Sequence, residues 1–101
     1  MIAHVAGRLL AKDLDRVEVM TSGGVGYELA IPLNVYETLP RAGEEVTLYT
    51  HLVVREDGWL LFGFATLIER RVFQKLLTAN GVGPALALGL LGAAFALRRR
   101  R

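Results

Sequence analysis

The residues best placed to do chemistry are Asn80-Gly81-Val82-Gly83-Pro84. Two glycines flanking one residue, then a proline and Ala85-Leu86-Ala87, read as a tight turn that opens a helix. The glycines let the backbone turn sharply and come close to a ligand. A helix starting at Pro84 then aims its free N–H groups and the positive end of its dipole at the same place. An anion such as a phosphate can bind there without any cationic side chain. A backbone contact of that kind is blind to base sequence. The same string also suits a plain connection between two packed helices, and the local residues leave both readings open. A dinucleotide-binding turn needs a third glycine and a preceding strand, and both are missing here.

The second candidate is Glu56-Asp57, with Arg55 before it and Gly58 after it. Asp-Gly is ordinary turn chemistry, so a solvated hairpin tip is the plainer reading. The functional reading is that two adjacent carboxylates repel something anionic. Like charges ~4 Å apart cost about 1 kcal/mol in water and about 4 kcal/mol at an effective dielectric of 20. One copy does little; several copies gathered on a symmetry axis do much more.

Two kinds of element must position these residues. Residues 1–64 have the patterning of strands. Val17 to Thr21 and Tyr27 to Ile31 alternate apolar and polar residues, the period of a half-buried strand, with Ser22-Gly23-Gly24-Val25-Gly26 as the turn between them. Ile2 to Leu10, Val46 to Val54 and Trp59 to Phe64 are further β-rich runs, and Asp57-Gly58 signals a hairpin between the last two. Leu33 to Leu39 predicts a short helix. Five short antiparallel strands suit a small barrel of the OB-fold type. At Thr66 the period changes. Thr66-Leu67-Ile68-Glu69 fits a capping box, and Leu67, Ile68, Phe73, Leu76 and Leu77 recur at helical spacing. That helix should stop near Ala79, and a second should run from Pro84 to about Leu91, with Gly92 as its end. The expected architecture is therefore mainly β plus α. It comprises a barrel domain over 1–64, a partial helix-hairpin-helix domain over 65–97 and a basic tail over 98–101.

Charge divides the same way. Residues 1–65 net −4, residues 66–97 net +2 through Arg70, Arg71 and Lys75 against Glu69, and Arg98 to Arg101 add +4. The sequence pI of about 9.4 is mostly a tail effect. The tail predicts salt-sensitive, nonspecific attraction to any polyanion. With 52% hydrophobic and 22% charged residues, the chain has enough apolar material for a core, which argues against disorder. It has no cysteine, so disulfides and thiolate metal sites are excluded and a reducing cytoplasm fits. Met1-Ile2-Ala3-His4 carries no basic stretch or apolar run of a signal peptide. Residues 82–97 fall short of the ~20 that a membrane-spanning helix needs.

Met1-Ile2 with Gly7, the run Gly23-Gly24-Val25-Gly26-Tyr27-Glu28 and the block Thr50-His51-Leu52-Val53-Val54-Arg55-Glu56-Asp57 resemble the RuvA family. So do Leu61-Phe62-Gly63-Phe64 and Asn80 to Pro84 followed by Ala85-Leu86-Ala87-Leu88. The match runs in order, with similar spacing, from residue 1 to about residue 92. The resemblance implies an OB-fold followed by helix-hairpin-helix motifs. It implies tetramers of four-fold symmetry that hold a four-way Holliday junction open and flat in recombination and repair. It places phosphates on Asn80, Gly81, Val82, Gly83 and Pro84, the acidic pair Glu56 and Asp57 near the junction centre, and Arg55 as a candidate DNA contact. It implies no cofactor and no catalysis by this chain. Branch migration is driven by a separate hexameric ATPase, RuvB, and no Walker-type phosphate loop occurs here.

Departures from the family temper that picture. A lysine is usual where this chain has Ala85, and a glycine where it has Ala3. Ala93 to Leu97 and the four arginines do not resemble the family's continuation. The chain ends before a second hairpin and the motor-binding domain, so the expectation is one hairpin per subunit and no RuvB recruitment. The competing reading is a RuvA-like fragment that only oligomerises, without junction binding. The many apolar residues from Leu86 to Leu97 predict an exposed patch that drives self-association. Trp59, Phe62 and Phe64 read as barrel core, with a base-stacking platform as the rarer option. His4 and His51 have no companion at metal-ligand spacing. Asp13, Asp15 and Glu18 read as a solvated turn and strand edge.

Overall fold

The computed structural model describes the backbone of residues 1–99 and the side chains of residues 1–97. Five strands form a closed barrel: β1 (His4–Lys12), β2 (Arg16–Met20), β3 (Gly26–Ala30), β4 (Glu45–Arg55) and β5 (Gly58–Phe64). Their order around the barrel is β1-β2-β3-β5-β4, closed by β4 against β1. A short helix, α1 (Leu33–Tyr36), separates β3 from β4, and two longer helices follow β5: α2 (Leu67–Leu77) and α3 (Pro84–Arg99). This is the expected five-stranded OB-fold barrel followed by a helical hairpin.

Alternation builds the barrel wall. Val5, Gly7 and Leu9 of β1, Val17 and Val19 of β2, Leu29 of β3 and Leu48 and Thr50 of β4 are buried, and most of their neighbours face out. Strand β1 serves two partners. His4–Arg8 pair with β4 and Arg8–Lys12 pair with β2, with a register shift between Leu9 and Ala11. A bulge of this kind bends a strand, which lets a five-stranded sheet close.

The β4–β5 hairpin turns at Glu56-Asp57, the expected tip, and Arg55 pairs with Gly58, which begins β5. Two expectations need correction. The strands are not all antiparallel: β3 meets β5 in parallel at Ala30 and Phe62, because the long path through α1 and β4 returns the chain to the far edge of the sheet. Gly92 does not end the last helix, which continues to Arg99. A side chain at Gly92 would lie 3.4 Å from the Leu33 nitrogen and 3.7 Å from Pro32 Cβ, so its bareness lets α3 lie against the start of α1. The membrane reading is bounded separately: among the described residues no helix is long and apolar enough to cross a bilayer.

Two apolar clusters form the core. Val5, Leu9, Val17, Val19, Leu29, Ile31, Val35 and Leu48 fill the barrel. Phe62 and Phe64 leave the other face of β5 and meet Phe73 of α2 and Ala87 and Leu91 of α3. The Phe73 ring is 5.0 Å from that of Phe62 and 4.9 Å from that of Phe64, tilted contacts of the favoured sort. Phe73 is thus the centre of the apolar contact that seats the helical hairpin on the barrel.

A buried polar lock sets the same junction. The capping box at Thr66 forms in full: Thr66 Oγ1 accepts from the Glu69 amide, while Glu69 Oε1 accepts from the Thr66 amide at 2.8 Å. The other Glu69 carboxylate oxygen accepts from Asn34 Nδ2 of α1, and both side chains are buried. One carboxylate therefore starts α2 and ties it to the barrel cap. Glu69→Ala removes both acceptors at once, leaving the Thr66 amide and the buried Asn34 Nδ2 without this partner, and should cost about 2–3 kcal/mol. Urea denaturation followed by circular dichroism checks this; a midpoint unchanged from the parent would refute it.

Candidate nucleic-acid interface

The turn between α2 and α3 is built as a backbone presenter. Helix α2 winds down at Thr78, whose amide and hydroxyl both donate to the Lys75 carbonyl. The amides of Ala79 and Val82 donate back to Leu76 and Ala79. Gly81 has φ +79°, the left-handed region that a β-carbon makes costly. Val82 turns its side chain into the core cluster around Phe73 and pins the loop. The Ala87 amide donates to the Gly83 carbonyl at 3.0 Å, so Gly83 caps α3. Pro84 has no N–H, and the amides of Ala85 and Leu86 precede the first intrahelical bond and face outward from the helix end. Asn80, Gly81 and Gly83 are exposed, with Val82 and Pro84 half-buried beneath them.

A β-carbon added at Gly81 or Gly83 would meet nothing within 4 Å. No neighbour inside the protein therefore requires Gly83 to be bare, and the space in front of the turn is open.

The second feature is the β4–β5 tip. Strand pairing runs without a break from Tyr49 and Phe64 to Arg55 and Gly58, so Glu56 and Asp57 stand at the very end of the ribbon, exposed. Among the described residues no ion pair involves either carboxylate. Arg55 is exposed beside them. The tip and the turn belong to one connected piece, because β5 runs from the tip into the Phe73 cluster and on to α2.

The basic face of α2 is smaller than its composition indicates. Arg70 donates to the Ala3 carbonyl at 2.8 Å and lies over the Tyr49 ring, which ties it to the barrel. Arg71 and Lys75 remain exposed. His51, also on this side, meets Gln74 at 3.2 Å and the edge of Phe73. Its burial, and then the nearby Arg70 charge, hold the imidazole below its usual range. At the opposite edge Arg16 gathers Asp13, Glu18 and Glu28, and Glu28 raises its pKa most. Asp13, Asp15 and Glu18 lie on that solvated edge, as their polarity predicts.

A family model described as the RuvA N terminal domain matches residues 1–63. The chain belongs to this RuvA family. It is 63% identical over 93 residues to the Holliday junction branch migration complex subunit RuvA of Gemmatimonas aurantiaca, a match covering 92% of this chain and 47% of that protein. It is 50% identical over 93 residues to the subunit of the same name from Haemophilus influenzae strain PittEE, covering 45% of that protein. The Pasteurella multocida protein of that name is 47% identical, again over 93 residues and 45% of its length. The chain therefore spans about half the length of the curated relatives it matches. The RuvA match covers both the barrel and most of the helical hairpin, in agreement with a resemblance reaching about residue 92.

Two residues of consequence are not legible in the sequence. Asn34 becomes the partner of Glu69 across 35 positions, a distance at which no local pattern operates. Trp59 groups with Phe62 and Phe64 by composition, yet it is exposed while they are buried. The difference is one of position along β5: Leu61 and Gly63, on the same face as Trp59, are covered by the barrel core, whereas Trp59 lies nearer the hairpin tip, beyond that cover. The side chains of Arg98 to Arg101 lie outside the described residues.

Proposed function

We propose that this chain binds four-way DNA junctions by their shape, not their sequence, as the non-catalytic DNA-holding subunit of a branch-migration complex. The observation that carries this reading is the exposed Gly81–Gly83 turn, which presents outward-facing amides at the head of α3 with open space before it. A duplex arm offers a phosphate to that turn, and the dipole of α3 adds to the attraction. The barrel, residues 1–64, carries Glu56 and Asp57 to the crossover, where they repel the strands' phosphates and keep the centre open. Residues 65–97 hold an arm through Asn80 to Pro84, with Arg71 and Lys75 as nearby cations and Arg55 as a further contact by the tip. The arginines at 98–101 add salt-sensitive attraction that is independent of DNA shape. Ala85 supplies a helix-end amide but not the lysine contact usual in the family.

Copies of the chain gather around the junction, so that their acidic tips act together. Leu86, Leu90, Ala93 and Leu97 form an exposed stripe along α3 that supports self-association. ATP hydrolysis belongs to a separate motor.

A gel-shift titration at ~0.1 M salt, comparing a four-way junction with a linear duplex, tests this reading. The chain is used with and without its last four arginines. The tail-less chain should still prefer the junction. Equal affinity for the two DNAs refutes the proposal, and binding that vanishes with the tail leaves only a scaffold. In the same assay Glu56→Gln with Asp57→Asn should narrow the junction preference several-fold while duplex binding holds or strengthens, because the phosphates lose a repulsive neighbour.

A further inference from the structure

Strand β5 sorts its side chains by face. Leu60, Phe62 and Phe64 lie on the side of the helices; Trp59, Leu61 and Gly63 lie on the side of the barrel interior. The barrel-facing row is paired across the ribbon as Thr50 with Gly63, Leu52 with Leu61 and Val54 with Trp59. Its burial fades toward the tip. Gly63 is enclosed by Leu29, Leu48 and Ile31, Leu61 is half-buried against the same cluster, and Trp59 and Val54 are 70% and 61% exposed. An apolar row thus continues past the barrel that covers it and ends on an open indole, two residues from Asp57.

The charges beside the indole restrict what can cover it. Glu56 and Asp57 make no ion pair among the described residues, and the single exposed cation beside them, Arg55, leaves the tip net negative, so a phosphate approaching the ring is repelled. The tip of a second copy would bring the same two charges and meet the same repulsion. A flat, uncharged surface meets neither obstacle. In an open four-way junction the base pair that ends each arm has no stacked neighbour across the crossover, so its outer face is such a surface. Aromatic side chains take base faces without regard to sequence.

We propose that Trp59 is a stacking platform for a DNA base at the junction crossover, with Glu56 and Asp57 keeping the sugar-phosphate backbone off the ring. The inference rests on the junction-binding reading and adds a base contact to it.

Trp59 is the single tryptophan of the chain, so its fluorescence reports on this position alone. The full chain is titrated with a four-way junction and with a linear duplex, and binding is followed in parallel by gel shift. The junction should quench the emission and shield it from acrylamide, and the duplex should do neither. Trp59→Leu, an exposed change that leaves both cores intact, should weaken junction binding roughly tenfold without altering duplex binding, while Trp59→Phe retains most of the affinity. A junction that shifts in the gel yet leaves the emission unchanged overturns the platform and leaves junction binding standing. Trp59→Leu binding the junction as tightly as the parent does the same. Emission that shifts with protein concentration in the absence of DNA gives the indole to a second copy instead. A chain without junction preference loses the underlying reading, and the platform falls with it.

Discussion

Gly83→Val should leave the protein folded and weaken four-way-junction binding ten- to a hundredfold. The two halves of that result have different physical sources. Gly83 does not adopt positive φ, and a side chain there meets nothing within 4 Å, so the cost to stability should be limited to valine's poorer fit at a helix cap, about 1 kcal/mol. Binding suffers because the side chain fills the space through which a phosphate reaches the turn. A hydrogen bond to a charged group is worth about 1.5–3 kcal/mol, which sets the expected range when the phosphate is held off. Gly81→Val should weaken binding comparably and also destabilise the fold by about 1–2 kcal/mol, since φ +79° is costly for a β-branched residue. Anisotropy of a labelled junction with thermal melts of each variant separates these effects. A Gly83→Val protein that binds like the parent would show that the turn merely connects two helices.

The largest effect on stability should come from a residue distant from both candidate sites. Gly7→Ala should cost at least about 3 kcal/mol, a large share of what holds a small domain folded. A β-carbon at Gly7 would sit 2.2 Å from the Met20 carbonyl oxygen, 2.8 Å from its carbon and 3.0 Å from Thr21 Cα. All three are backbone atoms, so no side chain can rotate away to relieve the clash. Strand β1 passes from β4 to β2 near this point, so relief requires parting strands of the barrel. Gly23→Ala is the control: nothing lies within 4 Å of the added carbon and φ is not positive, so stability should hold or rise slightly. Urea midpoints of the two variants, read by circular dichroism, decide the matter; equal midpoints would mean that β1 and β2 are free to separate there.

Much of this was legible in the chain because it is local. Alternation in Val17 to Met20 and in Tyr27 to Leu29 marks one buried face, and a strand buried on one face must show that period. The Thr66–Glu69 capping box forms as its residue types predict, since its four residues need only each other. Asn80 to Pro84 announces the turn because φ and the missing proline N–H are properties of single residues. Boundaries were less legible. Gly92 carries a stop signal in isolation, but a packed neighbour at Leu33 turns its bareness into a reason for α3 to continue.

Short-range patterns in the chain therefore define the set of elements, the barrel and hairpin they suit, and the two short strings singled out as candidate sites. Each follows from preferences acting over a few residues. Long-range packing settles which of three neighbouring aromatics faces water, which carboxylate locks two elements together, that Arg70 is committed to the barrel, and that β3 meets β5 in parallel. Those outcomes depend on partners brought together from far along the chain, and burial, the force that chooses them, exists only once the parts have met.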